Sequence, residues 1–441
     1  MPPNILLITA DDMGGDTPGC FGGPAGVTPT LDRLASEGMT FGRAHVAVAV
    51  CQPSRSAIMT GRWPHRNGAQ GFEPIADGVP VLTEVLREAG YFCGILGKVD
   101  HLQPVERFGW DFTRGMRELG MGRSPAAYGE ASAAFVAEAA GQGRPWFLMA
   151  NAHDPHRPYS GSQAEQERFP AEARATYPAP SRVFGPEDDV GVPGFLPDLP
   201  AVRQEYGEYL SSSRRCDDVV AAVLGAVDAA DTLVVFLSDN GIAVPFAKAN
   251  CYLQSSRTPL IVRWPGATRP GTSEDTVFVS ALDLFPTFCA AAGVPVPSGV
   301  DGQSLLPLLR GEPQDGRDAV HTVFHETAAK GRFEMRCRQD ARFGYIWNAW
   351  SDGVREYRAE NMLGLTWPAM VEAGGDRVGF YLHRAPEELY DLRADPHSLA
   401  NLAADPAYGE DLAAARRELL AWLDTTGDPL LGTYRAFLAE S

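Results

Sequence analysis

The feature that most constrains the fold is a set of apolar runs that contain no charged residue, at residues 4–10, 91–96, 145–151 and 232–238. An uncharged run of this length is typical of a parallel strand that is buried on both faces. Helix-like segments lie between the runs, such as residues 80–89, which have a proline in the first turn and a glycine after the end. This alternation predicts an α/β fold with a mostly parallel central sheet sandwiched by helices.

The pattern of the chain changes after Gly316. Shorter strand-like runs and one final helix are expected there, at residues 320–325, 343–347 and 404–424. We therefore expect a catalytic α/β domain at residues 1–316 and a smaller antiparallel α+β domain at residues 317–441. Residues 160–200 are rich in proline, glycine and charge, so we expect a long irregular surface segment there.

The composition excludes several classes of function. A formal net charge of −18 argues against nucleic acid or an anionic membrane as a partner, because either would require a basic surface. The seven cysteines have no C-x-x-C spacing and do not resemble a disulfide framework or a zinc site. The sequence as given has no secretory leader pattern and no run of about 20 apolar residues, so we expect a cytoplasmic protein.

The first apolar run ends in two adjacent carboxylates, Asp11 and Asp12. Ligand sites of α/β proteins lie at the carboxyl ends of strands, and the repulsion between two carboxylates favours a bound cation. A solvated turn would give the same local pattern, so this pair alone does not define a site.

The segment around Cys51 combines a cysteine with the start of a helix. Pro53 suits the first turn, so Cys51 is expected just ahead of a helix N-terminus, with Arg55 one turn further along. These neighbours favour a reactive cysteine close to an anion. Taken alone, the same five residues also describe a buried structural cysteine beside a surface arginine.

The motif Cys51-x-Pro53-x-Arg55, followed by Thr60-Gly61-Arg62, resembles the signature of the type I sulfatases of the alkaline phosphatase superfamily. Gln52 departs from the small residue that many members carry. Four further segments resemble family motifs, namely G-K-x-x-H at 97–101, H-x-P-H at 153–156, S-D-N-G at 238–241 and E-L-Y-D-L at 388–392. The details at 153–157 and 239–252 are most similar to the heparan N-sulfatases (sulfamidases).

The resemblance implies a modified nucleophile and a metal. Cys51 would be oxidised to Cα-formylglycine by a formylglycine-generating enzyme, and the hydrated aldehyde would be the nucleophile. The implied cation is Ca²⁺, with Mg²⁺ as the alternative, because the ligands are hard oxygen donors. Its implied ligands are Asp11, Asp12, the modified Cys51, Asp239 and Asn240.

The resemblance also implies the roles of the remaining site residues. Arg55 would help to ionise the aldehyde hydrate, and Lys98 and Lys248 would neutralise the oxygens of the sulfo group. His156 would be the general acid for the leaving group and His101 the base that regenerates the aldehyde. A hydrogen-bonded core histidine is the alternative for each histidine taken singly.

The expected activity is hydrolysis of a sulfate ester or an N-sulfamate on a sugar. Three carboxylates, three cationic side chains and a divalent ion leave the site slightly positive, which suits a monoanion better than a dianionic phosphate monoester. Phosphonate monoester or phosphodiester hydrolysis remains an alternative, as does a protein that binds sulfated ligands without turnover. Candidates to line the substrate pocket are His65, Arg66, Asn67, His325 and Glu326.

Overall fold

The computed structural model describes residues 2–188, 190–228 and 230–440. The strands are β1 (Asn4–Ala10), β2 (Met39–Phe41), β3 (Ala44–His45), β4 (Phe92–Leu96), β5 (Phe112–Arg114), β6 (Trp146–Asn151), β7 (Thr232–Ser238), β8 (Leu260–Arg263), β9 (Thr272–Glu274), β10 (Val279–Ser280), β11 (Ala319–Glu326), β12 (Arg332–Asp340), β13 (Phe343–Asn348) and β14 (Glu387–Asp391). The α-helices are α1 (Pro29–Glu37), α2 (Cys51–Thr60), α3 (Pro64–Asn67), α4 (Leu82–Glu88), α5 (Pro125–Gly141), α6 (Gln163–Arg168), α7 (Ala171–Arg174), α8 (Pro200–Gly225), α9 (Leu253–Ser256), α10 (Leu284–Ala292), α11 (Leu306–Leu309), α12 (Thr366–Ala373), α13 (Asp376–Leu382), α14 (Gly409–Thr426) and α15 (Leu431–Glu440).

The large sheet has the strand order β5-β4-β6-β1-β7-β8-β2-β9. Its centre is parallel, because β1 pairs in parallel with both β6 and β7, whereas β8 runs antiparallel to its neighbours. Successive side chains of a strand point to opposite faces, so Ile5 and Leu7 pack into one core while Leu6 and Ile8 pack into another. The expected mostly parallel sheet, covered on both faces, is confirmed.

Helices form the two outer layers. The core beneath Ile5 includes residues of α2, α4 and α10, and the core beneath Leu6 includes residues of α1, α5 and α8. The segment at 160–200, expected to be irregular, contains the short helices α6 and α7. None of the helices in the described part of the chain is both long enough and apolar enough to cross a membrane.

The C-terminal region forms a second, antiparallel sheet of β11 to β14. One of its faces packs against α14 and α15 through Leu419, Leu423 and Tyr434. The expectation of one final helix was wrong, because Gly427 adopts φ +66° and ends α14 before α15 begins. The Val323 amide donates to the Ala47 carbonyl at 2.9 Å, which joins this sheet to the segment leading into Cys51.

Candidate active site

The topology brings several strand ends to one edge of the large sheet. Because β6, β1 and β7 are adjacent and parallel, the residues that follow them converge. Asp11 and Asp12 follow β1, Asp239 and Asn240 follow β7, and a histidine segment at 153–156 follows β6.

Cys51 lies at the centre of this cluster and is 3% exposed. It is the first residue of α2, with Val50 as the N-cap, rather than a residue ahead of the helix. Its Sγ donates to Asp11 Oδ1 at 3.2 Å and accepts a hydrogen bond from Lys248 Nζ at 3.1 Å. Burial raises the pKa of the Cys51 thiol well above its usual value, and Asp11 raises it further. This pKa shift runs against the reactive cysteine expected from the helix start, because burial and the nearby carboxylates outweigh the helix N-terminus and Lys248.

Arg55 is fully buried and ties three strands together. One guanidinium nitrogen pairs with Asp239 at 2.7 Å, and the other donates to Thr9 Oγ1 at 2.7 Å and to Asn151 Oδ1 at 2.6 Å. The planar fork thereby positions the carboxylate that follows β7 against side chains of β1 and β6. Thr9 and Asn151 were missed by the sequence analysis because they lie inside apolar runs.

Four oxygen-bearing side chains form a pocket suited to a hard cation. Carboxylate oxygens of Asp11, Asp12 and Asp239 all lie within 4.8 Å of one another. Asp12 Oδ2 and Asn240 Oδ1 are buried and accept no hydrogen bond from the described residues, whereas Asp11 Oδ2 and Asp239 Oδ2 are paired with Lys98 and Arg55. The Asn240 amide is oriented by its donation to Asp12 Oδ1 at 2.7 Å. Buried oxygens of this kind fit a divalent cation such as Ca²⁺ or Mg²⁺.

The charges of these carboxylates depend on their cationic neighbours. Burial opposes ionisation of Asp11, but Lys98, His156, Arg55 and Lys248 together hold its pKa well below the usual range. Burial is the main reason that the pKa of Asp239 is raised to about 7. Pairing with Arg55 lowers this pKa, and repulsion from Asp11 and Asp12 raises it. A bound cation would relieve this repulsion.

Two lysines pair with carboxylates of the cluster. Lys98 Nζ pairs with Asp11 Oδ2, and Lys248 Nζ pairs with Asp12 Oδ1 at 2.5 Å. Lys98 reaches the site from a tight turn after β4, where Gly97 has φ +69° and a Cβ would lie 2.5 Å from the Asn151 carbonyl oxygen. Although burial opposes it, Asp12 and Cys51 raise the pKa of Lys248, so this side chain is cationic.

The histidines of the site are neutral near pH 7. His156 Nδ1 lies 2.5 Å from the Arg157 carbonyl, which can only accept, so Nδ1 carries the proton of the neutral ring. The Nε2 lone pair then faces Asp12 Oδ2 at 3.9 Å, and burial lowers the pKa of His156 to about 4. His101 packs edge-on against Phe72, and burial together with Lys98 lowers its pKa to about 2.

His153 is a member of the cluster to which the sequence analysis assigned no role. Its ring stacks on that of His156 with 4.8 Å between the centroids, and its Nδ1 lies 3.8 Å from Asp11 Oδ2. A motif that contains two histidines does not reveal which of them faces a reacting group.

A cavity of about 510 Å³ opens beside Asp12, His156 and Lys248. Its walls come from the segment after β6, from α6 and α8, and from residues 360–365 of the C-terminal region. The five pocket candidates from the sequence are not among the described residues that line it. His65 lies beside Asp428, Arg66 pairs with Asp301 and Asn67 donates to Thr60, while His325 and Glu326 are buried in β11.

The fold and the site together fit the hydrolase that the sequence motifs predict. The family model described as Sulfatase matches residues 3–294, and the chain belongs to the sulfatase family. It is therefore an enzyme that hydrolyses a sulfate ester or a sulfamate.

The relatives include N-sulphoglucosamine sulphohydrolase of Homo sapiens, which is 31% identical over 97% of this chain and 91% of its own length. A solved structure in complex with its substrate D-glucosamine-2-N,6-O-disulfate aligns with TM-score 0.73 and 19% identity, covering 97% of this chain and 99% of that one. A phosphonate monoester hydrolase of Agrobacterium radiobacter aligns with TM-score 0.68 and 21% identity, covering 96% of each chain. At these identities the two structures show a shared fold.

Proposed function

We propose that this sulfatase hydrolyses the N-sulfo group of a glucosamine, with a sugar O-sulfate as the alternative substrate. Water would cleave the nitrogen–sulfur bond, releasing sulfate and the free amine. The observation that carries the proposal is the position of His156, whose Nε2 faces the carboxylate cluster at the mouth of the cavity. A proton taken up at this Nε2 would be available to a departing nitrogen, and the relative named N-sulphoglucosamine sulphohydrolase matches nearly the whole chain.

The proposed nucleophile is formylglycine derived from Cys51 by a formylglycine-generating enzyme. Two observations support this modification. The thiol itself is a poor nucleophile, since its pKa is raised, and the residues Pro53 and Arg55 of the family motif are both present. The side chain at position 51 also lies between Asp11 and Lys248, where an added oxygen would meet both a metal ligand and a cation.

The proposed metal ligands are Asp11, Asp12, Asp239 and Asn240, with Ca²⁺ as the ion and Mg²⁺ as the alternative. When bound, the ion would supply positive charge that favours ionisation of the nucleophile and polarises the sulfo group. Arg55 would hold the Asp239 carboxylate in place through their 2.7 Å ion pair. The pairing of Lys98 with Asp11 and of Lys248 with Asp12 keeps both ammonium groups where the oxygens of a sulfo group would be neutralised.

The two histidines would divide the proton transfers. His156, once protonated, would give its Nε2 proton to the leaving nitrogen, and its Nδ1 would remain bonded to the Arg157 carbonyl. His101 would serve as the base that restores the aldehyde.

The division into domains at 1–316 and 317–441 is likewise a proposal, and the cytoplasmic location stays a prediction.

The test compares kcat/KM for glucosamine 2-N-sulfate, glucose 6-sulfate and a phenylphosphonate ester. We expect the N-sulfate to be the best substrate and the phosphonate the poorest. Cys51→Ala should abolish turnover, whereas Cys289→Ala, which removes another buried cysteine from α10, should retain it. A phosphonate preferred over both sugars, or activity in Cys51→Ala, would refute the proposal.

A further inference from the structure

The cavity beside the reaction centre offers unused hydrogen-bonding groups of the kind that bind sugar hydroxyls. Within the described part of the chain, the buried Tyr159 hydroxyl has no hydrogen-bond partner, and the whole residue is only 2% exposed. Arg157 Nη1 is also buried and has no partner among these residues, and its guanidinium lies over the Tyr159 ring at 5.3 Å. A cavity of about 510 Å³ has a size typical of small-molecule sites. Unpaired buried donors beside such a space point to a polar ligand that completes them.

The charge of Arg157 is already neutralised within the protein. Its guanidinium donates two hydrogen bonds to Glu205 Oε1, at 3.1 and 2.7 Å, while the other Glu205 oxygen accepts from the Thr366 amide at 2.7 Å. The Glu205 side chain is 4% exposed, so this pair is held inside the wall. Arg157 therefore lines the cavity without adding a net positive charge.

The remaining charges of the cavity wall are mainly negative. Outside the reaction centre and the Arg157–Glu205 pair, the described residues of the lining include Glu167, Glu208 and Glu360 against a single cation, Arg168. Gln163 donates to Glu167 at 2.6 Å and Gln204 donates to Glu208 at 3.0 Å, so neutral amides orient these two carboxylates. Glu360 Oε1 is buried and accepts no hydrogen bond from any residue that the structure describes. A second anion in the cavity would meet like charge instead of a counter-ion.

We propose that this cavity accepts a single sugar unit that carries no anionic group other than the reacting sulfo group, and that Glu167, Glu208 and Glu360 exclude a second sulfate or a carboxylate. This inference rests on the proposed function, because it assumes that the cavity holds the sugar. It names a substrate class different from the disulfated glucosamine in the solved complex of the structural neighbour.

The test is the ratio of kcat/KM for glucosamine 2-N-sulfate to that for glucosamine 2-N,6-O-disulfate, with N-sulfate release followed by product analysis. We expect the monosulfate to be preferred by about tenfold or more. Glu208→Gln should lower this preference by about threefold or more, as should Glu167→Gln if the first variant does not fold. Glu172→Gln is the matched control, because Glu172 is an exposed glutamate of α7 that does not line the cavity. Added salt should also lower the preference, since it screens repulsion between charges.

The outcomes separate the two levels of the proposal. Equal rates on both sugars, or a preference that neither salt nor the glutamine variants change, would overturn the charge-exclusion inference while leaving the N-sulfatase function intact. Loss of turnover on both sugars would instead contradict the proposed function. In that case calorimetric binding of the two sugars to Cys51→Ala still decides the inference, because equal affinities would refute it.

Discussion

Protonation of His65 should weaken the junction between α3 and the C-terminal region. The His65 side chain is fully buried, edge-on to Trp422 of α14 and 3.6 Å from Asp428. Asp428 is already committed to Arg336, which donates to it at 2.6 and 3.1 Å. A charged imidazole there would lose its hydration and gain only a shared counter-ion, so burial lowers the pKa of His65 to about 4.

The size of the effect follows from the difference between the folded and unfolded pKa values. The unfolded chain titrates near 6.5, so between pH 6.5 and pH 4 it binds more protons than the folded protein does. Stability is therefore present above pH 6.5 and falls as the pH decreases through this window. For a folded pKa of about 4, lowering the pH from 7.5 to 5.0 costs about 2 kcal/mol at this one residue.

Urea unfolding at pH 7.5 and pH 5.0 measures this cost. In His65→Gln, which does not titrate, the difference in unfolding free energy between the two pH values should be about 2 kcal/mol smaller than in the wild type. His383→Gln, which removes an exposed histidine, should leave the wild-type difference unchanged. An unchanged pH dependence in His65→Gln would refute the reasoning.

Three further changes address the site and its cavity. Asp239→Ala should weaken Ca²⁺ binding and activity together, and it should remove most of the stabilisation by the metal. For the wild type at a Ca²⁺ concentration 100-fold above Kd, that stabilisation is about 2.7 kcal/mol and appears as a rise in melting temperature. Calorimetric titration measures the affinity, and an unaltered Ca²⁺ affinity would contradict the assignment. Gly364→Ala should raise KM about tenfold, because its Cβ would lie 2.0 Å from Glu205 Oε1. Gly375→Ala is the control, because Gly375 has the same φ of +103° but open space around it. Equal effects of the two variants on KM would show that the clash with Glu205 is not the cause. His156→Ala should lose about a hundredfold more activity on an N-sulfate than on 4-nitrophenyl sulfate, since only the amine requires protonation, and equal losses in initial rates would count against the general-acid role.

The polar residues that follow the strands could be predicted from the sequence because the pattern is local. An uncharged run followed by Asp11-Asp12 or by Asp239-Asn240 reveals both a strand and its carboxyl end, and parallel pairing then brings the ends together. Thr9 and Asn151 carried no such signal, because a polar side chain within a strand is visible as a ligand of Arg55 only when the strands are aligned.

The errors came from interactions between distant segments. The helix start at Cys51 is visible in the sequence, but the carboxylates that raise the thiol pKa converge only in the folded chain. The cavity wall at 360–365 depends in the same way on tertiary packing, because these residues show no sequence pattern typical of a site. The hydrogen bond from the Thr366 amide to Glu205 of α8 holds this segment beside the cavity. The candidate His65 does not line the cavity for the related reason that its burial in the junction is set by Trp422 and Asp428.

The most direct test of the account is the mass of the tryptic peptide spanning residues 44–55, which contains the side chain at position 51. Protein co-produced with a formylglycine-generating enzyme should yield a peptide about 18 Da lighter than the cysteine form. The apparent kcat on glucosamine 2-N-sulfate should rise in proportion to the fraction of protein that is converted. The account predicts no turnover in preparations that contain only the cysteine form. Full activity in protein whose Cys51 remains entirely a thiol would contradict it.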